Sequence, residues 1–476
     1  MDKIQNLVVI LPRGFYLCIM KKIILTSFFI ICTASVLFSQ KNDSIVIRKI
    51  FTEALTNYAA YDNLAYLCKN IGGRIGGSPQ SLRAADWTKK VLAENGADTV
   101  YTMAHTVRNW KRGTKETGKI ILSDKGHYDL SVCALGGAVG TGKKGMKARV
   151  VEVKNFEELK KLGKDKVSGK IVFFNRPANP STYSTFPAYG GAADQRYAGA
   201  SQAALYGGVA AINRSLTLAD HDFPHTGIMH YFDSTSKIPA FAIGIKSADL
   251  LSQLLKEDTA LELYLLSTCS EKEDTASYSV VGELTGTVFP DQIIVVGAHI
   301  DAWDNGEGAH DDGAGVVQAM EVLRIFKKLD IKLRHTLRIV EFMDEEMAQR
   351  GGRKYAETVM SKAEKHIAAI ESDAGGFTPQ GFCYDAGEQV TQRLAEWKPL
   401  LLEYGLWLFI QGHSAVDISF LKDLDIPLFG LMTDSQRYFD YQHASTDVFE
   451  AVNKRELQLG AASMAALVYL IDKYGF

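Results

Sequence analysis

Two histidines and a set of carboxylates carry the chemistry this chain could do: His299 and Asp301, Asp311 and Asp312, the run Asp344-Glu345-Glu346, Asp373, and a late His443. Zinc accepts imidazole and carboxylate ligands, and a catalytic zinc site keeps one position open for water. His299, Asp311, Glu346, Asp373 and His443 supply enough donors for two ions. With Asp311 as a bridge, one ion would take His299 and Asp373 and the other Glu346 and His443. Two metals about 3.5–4 Å apart can hold a hydroxide between them and polarise a scissile carbonyl. A base must then take the water's proton and deliver it to the leaving group, and Glu345, adjacent to a ligand, is the candidate. Taken singly, such acids are more often solvated surface or complements to a helix N-terminus. Their joint placement carries the reading.

That placement comes from the elements around them. In open α/β sheets, sites form beyond the carboxyl ends of strands, where several loops converge. Ile293 to His299 is a nearly continuous apolar run and predicts a buried parallel strand. Gly313 to Lys328 follows with helical spacing, then Thr336 to Met343 as strand, Tyr355 to Ala363 as helix and Ile367 to Glu371 as strand. His299, Glu346 and Asp373 therefore sit at or just beyond successive strand ends, and His443 in a loop after the apolar stretch Ile426 to Met432. Strict alternation from Ser279, closed by a long helix from Lys454 to Tyr474, predicts a doubly wound α/β fold. Its sheet is mixed but mainly parallel, with helices on both faces.

Upstream, residues 43–95 have helical spacing, broken by the glycine-rich turn from Ile71 to Pro79. Between 130 and 272 the texture changes to short β-branched runs, Ala148–Val153, Gly169–Phe174, Gly208–Asn213 and Ile238–Ile245, which predicts an inserted β-rich domain. The expected division is 40–129 and 273–476 for the main domain, with 130–272 inserted.

At 476 residues, 46% hydrophobic and 23% charged, the chain is a folded protein of two or three domains. A net charge of −2 and no long basic run argue against a nucleic-acid partner. Lys21 and Lys22, the apolar run Ile23 to Phe38, and Ser39 have the order of an export signal (1–39) starting at Met20, which places the mature chain outside the cell or in a periplasm, without a membrane span. An uncleaved anchor is the alternative. A lipoprotein at Cys32 is disfavoured by the bulky Ile31 before it. Cys68, Cys133, Cys269 and Cys383 contain no C-x-x-C pair, and either one disulfide or single buried thiols fits them.

The segments His299-Ile300-Asp301-Ala302-Trp303-Asp304, Gly308-Ala309-His310-Asp311-Asp312-Gly313-Ala314-Gly315, Asp344-Glu345-Glu346, Glu371-Ser372-Asp373-Ala374-Gly375 and His443-Ala444-Ser445-Thr446-Asp447 together resemble the di-zinc aminopeptidase and glutamate carboxypeptidase family of metallopeptidases. The likeness extends over most of the chain after the signal, including the turn from Gly72 to Pro79. The insertion resembles a protease-associated domain through Lys170–Phe174, Ala198–Tyr206 and Ile238-Pro239-Ala240. The resemblance implies two Zn2+ per chain on the five ligands named, Asp311 bridging, Glu345 as base and Asp301 orienting His299. Asp447 is given a similar part near His443. It also implies small peptide substrates and a homodimer. Exopeptidase action on free dipeptides or short peptides is the first expectation, a general aminopeptidase the second. A non-catalytic relative and a single-zinc cyclase acting on N-terminal glutamine are further alternatives. Expected substrate contacts are Trp303, His413, Ser435 and Tyr438, with Gln411, Asp434 and His310 as further candidates.

Overall fold

The apolar run ending at His299 becomes the centre of a sheet because its residues are buried on both faces. The computed structural model describes residues 42–124 and 126–476, so the expected export signal, with Cys18 and Cys32, lies outside the described residues. Residues 42–49 are helical, and Ile50–Phe476 forms a separate compact unit holding two eight-stranded sheets among the described residues.

The first sheet runs Thr99–Lys111, Ser270–Leu284, His335–Phe342, Phe289–His299, Lys365–Glu371, Leu428–Thr433, Pro379–Asp385, Leu408–Gln411. Its central pairings are parallel, with Val296 opposite both Ile339 and Ile370. One face is covered by the helices Ala314–Lys328 and Lys454–Tyr474. On the other, Val295, Val340 and Phe342 pack against Tyr355, Val359, Ile418 and Leu421. Asn453 starts the last helix by accepting the amides of Arg455 and Glu456 through its side chain.

Strict alternation fails at two places. Ser270–Leu284 leads into Phe289–His299, and Lys365–Glu371 into Pro379–Asp385, without a helix between them. The first exception has a structural reason. Thr99–Lys111 and Ser270–Leu284 form one long antiparallel ribbon, Thr99 opposite Glu283 and Lys111 opposite Ser270, which carries the chain out to the second sheet and back.

The second sheet runs His127–Leu130, Thr117–Ile121, Glu262–Leu266, Met146–Val153, Ile171–Phe174, Ala210–Arg214, Ala240–Ile243, Val132–Ala134. It thus begins at Thr117, ahead of the boundary expected at 130. It is also less purely β than expected: Met146–Val153, Ile171–Phe174, Ala210–Arg214 and Ala240–Ile243 are successive parallel strands, and parallel pairs need crossovers. Helices Phe156–Val167 and Gly199–Leu205 lie in those crossovers. Cys68, Cys133, Cys269 and Cys383 are free and buried, which decides between the two readings of the thiols. No helix among the described residues is long and apolar enough to cross a membrane.

Candidate metal centre

Five side chains from five chain segments converge at the carboxyl end of the first sheet. His299 Nε2 lies 3.3 Å from Asp311 Oδ1 and 3.4 Å from Asp373 Oδ1. His443 Nε2 lies 3.2 Å from Asp311 Oδ2 and 3.2 Å from Glu346 Oε2. The result is two triads, His299-Asp311-Asp373 and Asp311-Glu346-His443, each with ligand atoms within 4.8 Å of one another. Asp311 belongs to both and presents one oxygen to each histidine.

The donor set fits metal. Three carboxylates meet two imidazoles, and no Lys or Arg among the described residues lies in ion-pair range of the oxygens that face those rings. Glu346 Oε1 is buried without a hydrogen-bond partner, a costly state for a carboxylate oxygen unless a cation faces it. Burial opposes charge on both rings, yet the facing carboxylates hold His299 and His443 well above the ordinary 6.5. A metal taking those nitrogens displaces their protons.

Amide hydrogen bonds position the ligands. The Asp301 carboxylate accepts the amides of Asp344, Glu345 and Glu346 at 2.8, 3.1 and 3.3 Å, and so fixes the turn carrying Glu345 and Glu346. This revises the expected role of Asp301. His299 Nδ1 donates to the Asp301 main-chain carbonyl at 3.0 Å, while the carboxylate stands 3.8 Å away, too far for a hydrogen bond. Asp312 accepts the amides of His299 at 3.2 Å and Gly315 at 3.1 Å. Asp447 is likewise reassigned: its carboxylate serves the His310 and Asp311 amides, at 2.7 and 3.1 Å. His443 Nδ1 instead donates to the Thr226 carbonyl at 3.3 Å, and that residue belongs to the second-sheet region.

Arg74, from the glycine-rich turn, was not singled out in the sequence. Fully buried, it donates to the carbonyls of Ile300 (2.6 Å), Glu307 (2.8 Å) and Gly308 (3.0 Å). A lone arginine within glycines is the signal that could have exposed it, because glycine lets backbone come close. A Cβ at Gly73 would meet Asp304 Cα at 2.8 Å.

Glu345 lies deep beside the triads yet keeps some accessible surface; burial, reinforced by the Asp373 and Glu346 charges, holds its carboxyl well above the usual range. The Trp303 ring is buried, 5.7 Å from that of His443, and Gly136 of the second-sheet region lies so close that a Cβ there would overlap it. A cavity of about 10 Å³, the size of about one water, opens beside the second triad between Trp303, Asp311, Glu346 and His443. Tyr438 is buried and feels the Asp311 and Asp373 charges, which with burial hold its hydroxyl well above 10. Ser435 is occupied at its carbonyl by Thr185 Oγ1 at 2.7 Å.

Phe186 stacks on Tyr438 and Tyr189 on Phe439, so this second-sheet helix, Thr185–Gly190, walls that side. His413 is exposed in the loop after Leu408–Gln411, with no hydrogen bond to either triad among the described residues. Gln411 and Asp434 are engaged with Ala386 and Gln436. His310 is not a free contact: it stacks on Phe377 at 4.1 Å, accepts the Gly376 amide at Nδ1 and donates from Nε2 to Ala451. Burial pushes its pKa down to about 3.

Residues 279–468 match the family described as Peptidase family M28. Over 412 residues, 87% of this chain and 85% of the relative, the chain is 30% identical to carboxypeptidase Q of Xenopus laevis. Over the same shares it is 29% identical to carboxypeptidase Q of Homo sapiens. Among solved structures it is similar to a peptidase M28 precursor from Shewanella amazonensis SB2B, with TM-score 0.86 and 29% identity, over 91% of this chain and 97% of that one. A zinc aminopeptidase from Bacillus subtilis shares the fold, with TM-score 0.62 and 17% identity over 86% and 94% of the two chains.

Proposed function

The chain belongs to peptidase family M28, and from that premise we propose that it is an exported di-zinc exopeptidase acting on free dipeptides and short peptides. It is a zinc metallopeptidase; the count of two metals, the exopeptidase specificity and the export rest on the argument that follows. The observation that carries the two-metal reading is Asp311, whose two oxygens divide between the two histidine-bearing triads. Export is read from Lys21 to Ser39. Substrate class follows the carboxypeptidase name of the relatives.

Zinc bound at the two triads supplies Lewis-acid activation of a water and of the scissile carbonyl. The chain's own part begins with Glu345, which takes a proton from the attacking water as its oxygen bonds to the carbonyl carbon. Glu345 then gives that proton to the leaving nitrogen as the carbon–nitrogen bond breaks. Asp301 keeps Glu345 and Glu346 in register by binding both amides, and the buried Trp303 ring limits water at His443.

The test is hydrolysis of a free dipeptide, its N-acetylated form, its C-amidated form and an amino-acid arylamide, each with and without added zinc. Zinc-dependent cleavage of the free dipeptide alone is the expected result. Cleavage of the amide and arylamide as well would move the assignment to aminopeptidase. No cleavage of any would overturn the peptidase specificity proposed.

A further inference from the structure

The loop carrying His443 is held from outside its own sheet. His443 has φ 61°, a backbone conformation that non-glycine residues hold only when their surroundings fix it. Three carbonyls of this loop accept from one strip of the chain, residues 221–226, which lies in sequence between the second-sheet strands Ala210–Arg214 and Ala240–Ile243; His443 O accepts also from Asn305 Nδ2 at 2.8 Å and Asp440 O from Thr446 Oγ1 at 3.2 Å. His221 Nε2 donates to Asp440 O at 3.1 Å, His225 Nδ1 to Gln442 O at 2.7 Å, and the Thr226 amide to His443 O at 2.9 Å. In return His443 Nδ1 donates to the Thr226 carbonyl at 3.3 Å, which aims Nε2 at Asp311 and Glu346.

His225 is the centre of that strip. It is 4% exposed, its ring is nearly parallel to His221 at 5.5 Å, and its amide donates to Ser215 Oγ at 2.9 Å, which in turn donates to Ile243 O. Its Nε2 is buried without a partner. A histidine kept only as filler has no need of a short bond from Nδ1 to the peptide preceding a metal ligand. Thr226 is anchored in the same way, its hydroxyl donating to Ala134 O at 2.8 Å.

We propose that His225, with Thr226, is a positioning residue for the Asp311-Glu346-His443 triad, through which the second-sheet region sets the orientation of a metal ligand on the first sheet. This rests on the di-zinc reading of the site. The mechanism is tautomer and ring control of a ligand by its outer partners, whose loss weakens metal binding about 10–100-fold. Because His299 and Asp373 are held by other segments, only one of the two metals depends on the strip.

The experiment is zinc titration of the full chain against a chelator, without substrate, for the wild type, His225→Phe, His225→Asn and Thr226→Val. His225→Phe keeps ring volume and loses the donor, whereas His225→Asn can place an amide N–H where Nδ1 stood. One metal bound about 10–100-fold more weakly in His225→Phe, the other unchanged, with His225→Asn restored toward wild type, is the expected result. The kcat of His225→Phe should recover at saturating zinc with KM unchanged. If His225→Phe does not fold, Thr226→Val gives the same reading by loosening the carbonyl that orients His443. Both metals bound as in the wild type, or both lost together with the fold, overturns the proposal. A wild type that binds two zinc ions but cleaves no peptide overturns the exopeptidase reading alone, and one that binds a single zinc overturns the two-metal reading and this proposal with it, whether or not it cleaves peptide.

Discussion

Asp447 holds Asp311 from behind: its Oδ2 accepts the Asp311 amide at 3.1 Å, while Oδ1 accepts the His310 amide at 2.7 Å. The carboxylate shared by the two triads is thus set by an acid 136 residues further on that faces neither histidine. Asp447→Asn turns one acceptor into a donor aimed at an amide. The expected outcome is a folded chain with zinc affinity lowered about 10–100-fold, read by chelator competition. Unchanged affinity would show that the amide contacts do not position Asp311.

Glu345→Gln removes the proposed base and leaves both triads intact. Zinc content should stay at the wild-type value, and kcat should fall by about 10²–10⁴ with little change in KM. A variant retaining most of its kcat would remove Glu345 from the mechanism.

Arg74→Met leaves the carbonyls of Ile300 and Glu307 without their donor, while the Gly308 carbonyl keeps the Gly313 amide at 3.0 Å. Unmet buried acceptors cost about 1–3 kcal/mol each, so a loss of about 3 kcal/mol in chemical unfolding is expected. Arg74→Lys should not restore it, because an ammonium cannot reproduce the guanidinium fork. Full restoration by lysine would mean that charge alone is what matters there.

His366 gives a pH signature away from the metal centre. Its Nε2 accepts the Tyr355 hydroxyl at 2.7 Å, that hydroxyl itself accepting from Arg338 Nη1 at 3.1 Å, and burial lowers its pKa from 6.5 to about 4. The folded state therefore favours the neutral ring, and the unfolded chain binds the proton more readily between pH 6.5 and about 4. Stability from this group is fully present above pH 6.5 and is lost as pH falls to about 4, on the order of 3 kcal/mol at most. Urea midpoints measured across this range should fall less steeply for His366→Gln than for the wild type. Parallel slopes would contradict the assignment.

What was legible in the sequence depended on how each element is buried. Phe289–His299 and His335–Phe342 are buried on both faces, so they read as apolar runs, and the triad residues at or just past their ends, His299 and Glu346, could be placed by position alone. Thr99–Lys111 escaped notice because most of it is half-exposed and its partner is far along the chain, Thr99 opposite Glu283. The main-chain groups that aim the histidines were invisible for another reason. The carbonyls of Asp301 and Thr226 exist at every residue, and no side-chain type marks them. The family resemblance implied that Asp301 orients His299 with its carboxylate; the fold turns that carboxylate to three amides instead.

The most direct test of the account is zinc stoichiometry, because everything rests on Asp311 serving two metals. Metal-stripped protein titrated with zinc should take up two ions per chain, and Asp311→Ala should lose high-affinity binding of both. One ion per chain in the wild type, or one retained at full affinity in Asp311→Ala, would contradict the bridged centre.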